Sequence, residues 1–199
     1  MIPRLFKAKK ASLLSALAFN DATFWSADAF VGVVFALYIV SHIEGGTAIH
    51  VGFAYGMYRL IRGFAAVPLG RFFDRHKGHF DEYYALVFSG ILVTSAYVSM
   101  FFASELWHVY VAMVIISVAH ALDVTSWRIL FYNNVPEETS GQVMGIYETT
   151  MQITYALSIV VAGFIGDNFG FDWTMLFAGM LTFMSTAVIL TTRGFKREM

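Results

Sequence analysis

Apolar residues run almost unbroken over 11–42, 49–73, 83–104, 106–130, 141–166 and 173–192. Each stretch reaches the roughly 20 residues a helix needs to cross a hydrocarbon core. The breaks between them are short and polar: Glu44-Gly45-Gly46-Thr47, the charged stretch 74–82, Glu105, and the segments 133–140 and 167–172. Pro136, with Thr139 and Ser140 behind it, reads as the start of the fifth helix with an N-cap. The pattern predicts an all-α integral membrane protein, a single domain over 1–199 with six transmembrane helices.

Polar residues inside the stretches are unevenly shared. The third and sixth carry no ionisable group between Tyr83 and Ser104 or between Trp173 and Thr192. The first carries Asp21 and Asp28, the second Arg59 and Arg62, the fourth His120, Asp123 and Arg128, and the fifth Glu148. A charge facing lipid costs several kcal/mol, so such groups normally face a bundle interior or a watery cavity. The first, second, fourth and fifth helices are therefore expected to line something polar, and the third and sixth to face lipid.

At about 100° per residue these groups fall on stripes. Asp21, Trp25, Asp28 and Gly32 share one face of the first helix. Gly141, Gly145, Glu148, Gln152, Tyr155 and Gly166 share one face of the fifth. On the second, Gly52, Gly56, Arg59, Gly63 and Gly70 align, with Tyr55 and Arg62 beside them. Gly52-x-x-x-Gly56 and Gly141-x-x-x-Gly145 are small-xxx-small patterns that let helices approach closely in lipid. Such glycines serve either packing within one bundle or packing between bundles.

Lys and Arg set the orientation. Arg4, Lys7, Lys9 and Lys10 precede the first helix, Arg71, Arg75 and Lys77 mark the second connection, and Arg193, Lys196 and Arg197 follow the sixth. The three opposite connections hold Glu44, Glu105, Asp167 and Asp172 and no Lys or Arg. Both termini are thus expected in the cytoplasm, in a cell (plasma or inner) membrane. An Ala27-Asp28-Ala29 cleavage pattern is outweighed by the apolar run that resumes through Val40.

Composition agrees: 58% of residues are hydrophobic and 14% charged, against about 45–50% and 25% in soluble domains. The net charge of −1 gives no reason to expect a nucleic-acid partner. There is no cysteine, hence no disulfide or thiol chemistry. No nucleophile motif, metal box or phosphate loop is present, so neither enzyme activity nor a cofactor is expected. His76 and His79 beside Asp74 and Asp81 match no metal-site spacing and read as a basic surface loop.

Gly70-Arg71-Phe72-Phe73-Asp74-Arg75-His76-Lys77-Gly78, after the second helix, resembles the signature loop of the major facilitator superfamily. Its Gly stands one residue later than usual and a Phe replaces the common Leu. Val135-Pro136-Glu137-Glu138-Thr139-Ser140-Gly141 resembles that family's entry to the fifth helix, and 163–173 its Gly-rich turn ending in an aromatic. The Gly-Pro-rich antiporter motif of the fifth helix is absent. The resemblance covers the whole chain, which is half the usual twelve-helix length.

It implies an inverted 3+3 repeat and transport by rocking two six-helix bundles around a central site. Met1 and a basic tail at each end read as a complete chain, so two copies are expected to pair as a parallel homodimer about an axis along the membrane normal. The second helix of one copy would pack on the fifth of the other through Gly52, Gly56, Gly63, Gly141 and Gly145, with Gly56 and Gly145 at the contact. The substrate or proton pathway is expected at Asp21, Trp25, Asp28, Tyr55, Arg59, Arg62, His120, Asp123, Glu148, Gln152 and Tyr155. Gly70, Asp74, Arg75 and Gly78 form a conformational gate. Four embedded acids against three arginines fit either permanent ion pairs or pairs that break and reform as a small solute or proton binds. Arg128, near the cytoplasmic end, is expected to snorkel. The function expected is secondary active transport of a small solute, such as proton-coupled symport. A non-transporting scaffold subunit is the alternative.

Overall fold

The computed structural model describes the backbone of residues 2–75 and 80–191 and the side chains of 13–75 and 81–191. The expectations for Gly78, His76, Lys77 and His79, for the C-terminal Arg193, Lys196 and Arg197, and for the side chains of Arg4, Lys7, Lys9 and Lys10 lie outside the described residues.

Six helices follow one another: α1 Ile2–His42, α2 Ala48–Arg75, α3 Phe80–Phe101, α4 Leu106–Asn134, α5 Ser140–Phe169 and α6 Phe171–Thr191. All but α2 are long and apolar enough in composition to cross a membrane. Arg59 and Arg62 interrupt α2, yet its 28 residues rise about 42 Å at 1.5 Å each, against a core of about 30 Å. Large apolar side chains stand on the outside, as with Phe64 at 78% and Val160 at 71% exposure. In water such a surface is unfavourable; in lipid it carries no penalty.

Turn chemistry explains the reversals. Gly45 has φ 69° and Gly170, which ends α5, has φ 109°, left-handed conformations that glycine adopts freely. At Gly46 a Cβ would lie 1.9 Å from the Ile39 carbonyl oxygen, so only glycine fits there. The α1–α2 and α3–α4 connections meet where the Glu44 N–H donates to the Ser104 carbonyl at 3.0 Å. A single 3₁₀ turn, Glu137–Thr139, leads into α5. Thr139 occupies the N-cap position, but its side chain makes no capping hydrogen bond.

Packing runs as a series: α2 on α4, α4 on α3, α3 on α6, α6 on α1 and α1 on α5. Exchanging α1, α2 and α3 with α4, α5 and α6 leaves this series unchanged. The core has two parts. One surrounds Phe35, Tyr38, Tyr97 and Met100, towards the end with the acidic connections. The other surrounds Leu17, Trp127, Leu130 and Phe131, towards the basic end. The helices α2 and α5 terminate the series, and each has an outer face that no other helix covers among the described residues.

The glycines divide accordingly. Gly90 and Gly179 sit in the α3–α6 contact, where a Cβ at Gly90 would come 2.0 Å from Thr186 Oγ1. At Gly52, Gly56, Gly63, Gly70, Gly141 and Gly145 a Cβ would meet nothing within 4 Å. Packing within the bundle, one of the two roles open to these six, therefore does not account for them.

Besides their apolar outer faces, with Phe88 and Ile91 on α3 and Phe177 and Phe183 on α6 exposed, α3 and α6 have polar inner ones. Both turn hydroxyls inward: Thr94 and Thr182 pair at 2.9 Å between them, and Ser185 bonds Asn20 of α1 at 2.5 Å. A buried polar group needs such a partner, and these pairs fix the rotation of the outer helices.

Candidate functional site

A cavity of about 290 Å³ opens between α1, α2, α4 and α5. From α1 it receives Asp21 and Trp25, from α2 Arg62, and from α4 Trp127 and Arg128. From α5 come Tyr147, Glu148, Gln152 and Tyr155. Helical spacing explains the convergence, since Asp21 and Trp25 are one turn apart, as are Glu148 and Gln152, and Trp127 adjoins Arg128.

Most of these polar groups are held by a neighbour. The Tyr147 hydroxyl donates to Asp21 Oδ2, and Gln152 Nε2 donates to Glu148 Oε1 at 2.7 Å. Arg62 Nη1 donates to the Tyr58 hydroxyl at 2.6 Å, while its guanidinium lies 4.8 Å from the centre of the Trp25 ring. Trp127 Nε1 donates to the Leu17 carbonyl at 3.0 Å, fixing its indole plane against Tyr147, 5.1 Å away and nearly parallel.

Asp28, Tyr55, Arg59, His120 and Asp123 do not line this cavity. Asp28 and His120 form an adjoining network. The Tyr58 hydroxyl meets His120 Nδ1 at 2.8 Å, the same nitrogen lies 3.9 Å from Asp28 Oδ1, and Tyr97 of α3 donates to Asp28 at 3.4 Å. Tyr58 therefore joins Arg62 in the cavity to His120 behind it. Asp123 points away, buried against α3, where Ser89 donates to it at 3.4 Å. Tyr55 reaches the Gly32 carbonyl at 3.5 Å and packs edge-on against Phe35. Arg59 is exposed, 5.6 Å from the Tyr58 ring centre.

Of the two readings open for the embedded charges, permanent pairing of the arginines with the acids does not appear. Among the described residues, none of Arg59, Arg62 and Arg128 has a nitrogen within 4.0 Å of an embedded carboxylate; the one embedded acid–base contact is His120 with Asp28. Arg128 is also placed differently from the sequence reading: it lines the cavity.

Sequence reasoning passed over Tyr58, Tyr97, Trp127 and Tyr147. Tyr58 stands one turn before Arg62 and Trp127 next to Arg128, both readable as polar-tipped neighbours of an embedded charge. Tyr97 sits four turns beyond the acidic first turn of α3, with no embedded charge beside it, and gave no such signal.

A family model described as Major Facilitator Superfamily matches residues 13–198. The chain belongs to the Major Facilitator Superfamily. Among curated proteins it is similar to the uncharacterized MFS-type transporter YitZ of Bacillus subtilis (strain 168), 26% identical over 164 residues, covering 80% of this chain and 96% of YitZ. That relative is therefore itself about the length of one six-helix bundle. Among solved structures the chain resembles a crystal structure of a peptide transporter, POT, in complex with alafosfalin, with a TM-score of 0.76, 17% identity and 92% of this chain covered. The chain spans 38% of the length of that structure. This likeness carries the fold: a six-helix bundle of the family's transporters.

Proposed function

We propose that the chain is a half-transporter: two copies assemble in parallel and move a small solute by alternating access, with the cavity between α1, α2, α4 and α5 as the substrate site. One observation carries the reading. Charges of both signs, Arg62 and Arg128 with Asp21 and Glu148, face one cavity without forming an ion pair among the described residues. A scaffold has no use for embedded charges that do not neutralise one another, and each costs several kcal/mol to keep there. The packing series, unchanged on exchange of the two helix triplets, supports the inverted 3+3 repeat.

Charge complementarity favours a second copy as the occupant of the open faces. Arg71 and Arg75 lie exposed at the basic end of α2, and Glu137 and Glu138 lie exposed just before α5. Packing α2 of one copy on α5 of the other brings these groups to the same level, twice in a two-fold dimer. The two helices run in opposite directions, which corrects one pairing. Gly70 and Gly145 each stand five residues, about 7.5 Å, from the basic end of their helices. Gly56 stands near the other end, so Gly70 rather than Gly56 is the partner of Gly145. Asp74 falls level with the first turn of α5, where free backbone N–H groups and the helix dipole attract a carboxylate. With Gly70 and Arg75 it forms the gate that closes the cytoplasmic side. Asp28 and His120, joined to the cavity through Tyr58, are the proton-carrying pair of a coupled cycle in a plasma or inner membrane.

Counterflow tests this reading. Proteoliposomes loaded with a mixed solute pool should exchange at least one labelled solute, and Arg62→Gln with Glu148→Gln should abolish that exchange while the protein stays folded. Exchange that survives both substitutions would move the substrate site elsewhere.

A further inference from the structure

The cavity is bipolar in its construction. Its cations come from one packed helix pair, Arg62 on α2 and Arg128 on α4, and its anions from the other, Asp21 on α1 and Glu148 on α5. Neither set neutralises the other by contact. A neutral solute would leave both sets uncompensated in a site of low dielectric, and a singly charged one would leave one set so.

We infer that the cavity takes a small zwitterion, its anionic group on Arg62 and Arg128 and its cationic group between Asp21 and Glu148. The assignment rests on the cavity being the substrate site, as proposed above. The donor inventory fits. A guanidinium has five N–H donors in a fork matched to a carboxylate or phosphate, and Arg62 commits one of them, to Tyr58. Tyr58 and Trp25 hold the fork in place, so little side-chain entropy is lost when an anion binds.

The acids likewise retain capacity. Each carboxylate has about four acceptor sites; Asp21 takes the Tyr147 hydroxyl and Glu148 the Gln152 amide. Tyr147 and Tyr155 beside them offer ring faces to an ammonium. Trp127 supplies an apolar wall for the body of the solute. At about 290 Å³ the cavity is at the small end of ligand sites, which run from about 300 to 1,000 Å³, so the solute is of amino-acid rather than drug size.

The test is binding by the full chain in lipid nanodiscs, without a gradient. Trp107→Phe and Trp173→Phe remove two of the four tryptophans and leave Trp25 and Trp127 as reporters in the cavity. The probes are L-leucine, its one-charge analogues 4-methylpentanoate and 3-methylbutylamine, and in parallel L-phenylalanine, dialanine and glycine betaine with their one-charge analogues. At least one zwitterion should change the tryptophan emission saturably, and its analogues should bind about tenfold or more weakly, the equivalent of one lost charge contact. In Arg62→Gln the preference should invert, with the amine analogue now binding at least as well as its parent. A general loss of fold would remove all binding and not invert a preference. The inference is overturned if no zwitterion in the panel binds, if an analogue matches its parent, or if Arg62→Gln weakens all probes equally. A zwitterion that binds and is not carried across proteoliposomes would sink the transporter reading and leave this assignment standing. A one-charge solute that is bound and carried would do the reverse.

Discussion

Filling the glycine faces of α2 and α5 should separate folding from transport. A Cβ at Gly56 or Gly145 meets nothing within 4 Å, so Gly→Ala there has no steric cost within the bundle and gains up to about 0.5–1 kcal/mol of helix stability per site. The double variant Gly56→Ala/Gly145→Ala should therefore unfold at the wild-type temperature or slightly above it. The same change at Gly90 drives a methyl to 2.0 Å from Thr186 Oγ1. Thr186 must turn or α3 and α6 must part, at about the 1–3 kcal/mol typical of overpacking. Gly145→Leu raises the contrast, because the side chain projects from the open face and holds any helix docked there several ångströms off. Thermal unfolding in detergent reads the bundle, and counterflow in proteoliposomes reads the assembly. Gly145→Leu should be as stable as wild type and inactive, whereas Gly90→Ala should be measurably less stable. Full transport by Gly145→Leu would refute the interface. Loss of stability equal to that of Gly90→Ala would mean the face packs inside the bundle after all.

Three further outcomes are expected. Tyr58→Phe removes the partner of His120 Nδ1 and of Arg62, so thermal unfolding should show a loss of about 1–3 kcal/mol for the stranded buried groups, and uptake should fall as Arg62 loses its anchor. Asn20→Leu removes the α1–α6 bond to Ser185, and should lower stability by about 1–2 kcal/mol with no change in solute preference, measured by the same binding titration. Asp74→Asn keeps shape and removes charge at the first turn of the partner's α5. A contact worth roughly 0.3–2 kcal/mol, made twice, should shift the population from outward-open towards inward-open, read as longer spin-label distances between the basic ends of α2 and α5; an unchanged distribution would reduce Asp74 to a solvated loop charge.

The six helices were legible because lipid demands long apolar runs and tolerates no alternative backbone pairing. Arg59 and Arg62 lower the mean hydropathy of α2 below that of the other five, yet its apolar run over 49–73 is long enough to read as a span. Which helices line the cavity was legible for the same reason, since a charge cannot face lipid cheaply. The partners of those charges were not legible. Helical periodicity gives the face of Asp123 only to within a third of a turn, and that was too coarse to separate the cavity from the α3 contact with Ser89. Depth along the helix also misled the reading of Arg128, which lines the cavity together with Tyr147 and Glu148 of α5 where lipid headgroups were expected. Tyr97 and Thr94 carry no charge, so a search for embedded ions passed over the inward face of α3.

The central claim is that two copies face one another through α2 and α5, and crosslinking tests it most directly. The chain contains no cysteine, so Gly70→Cys with Gly145→Cys introduces the only thiols, at one level on opposed helices. Oxidation in native membranes should give a species of twice the chain mass on a denaturing gel. Gly56→Cys with Gly145→Cys, about 20 Å apart in level by helix rise, should not. A chain that remains wholly monomeric under oxidation while its proteoliposomes still exchange solute would contradict the account.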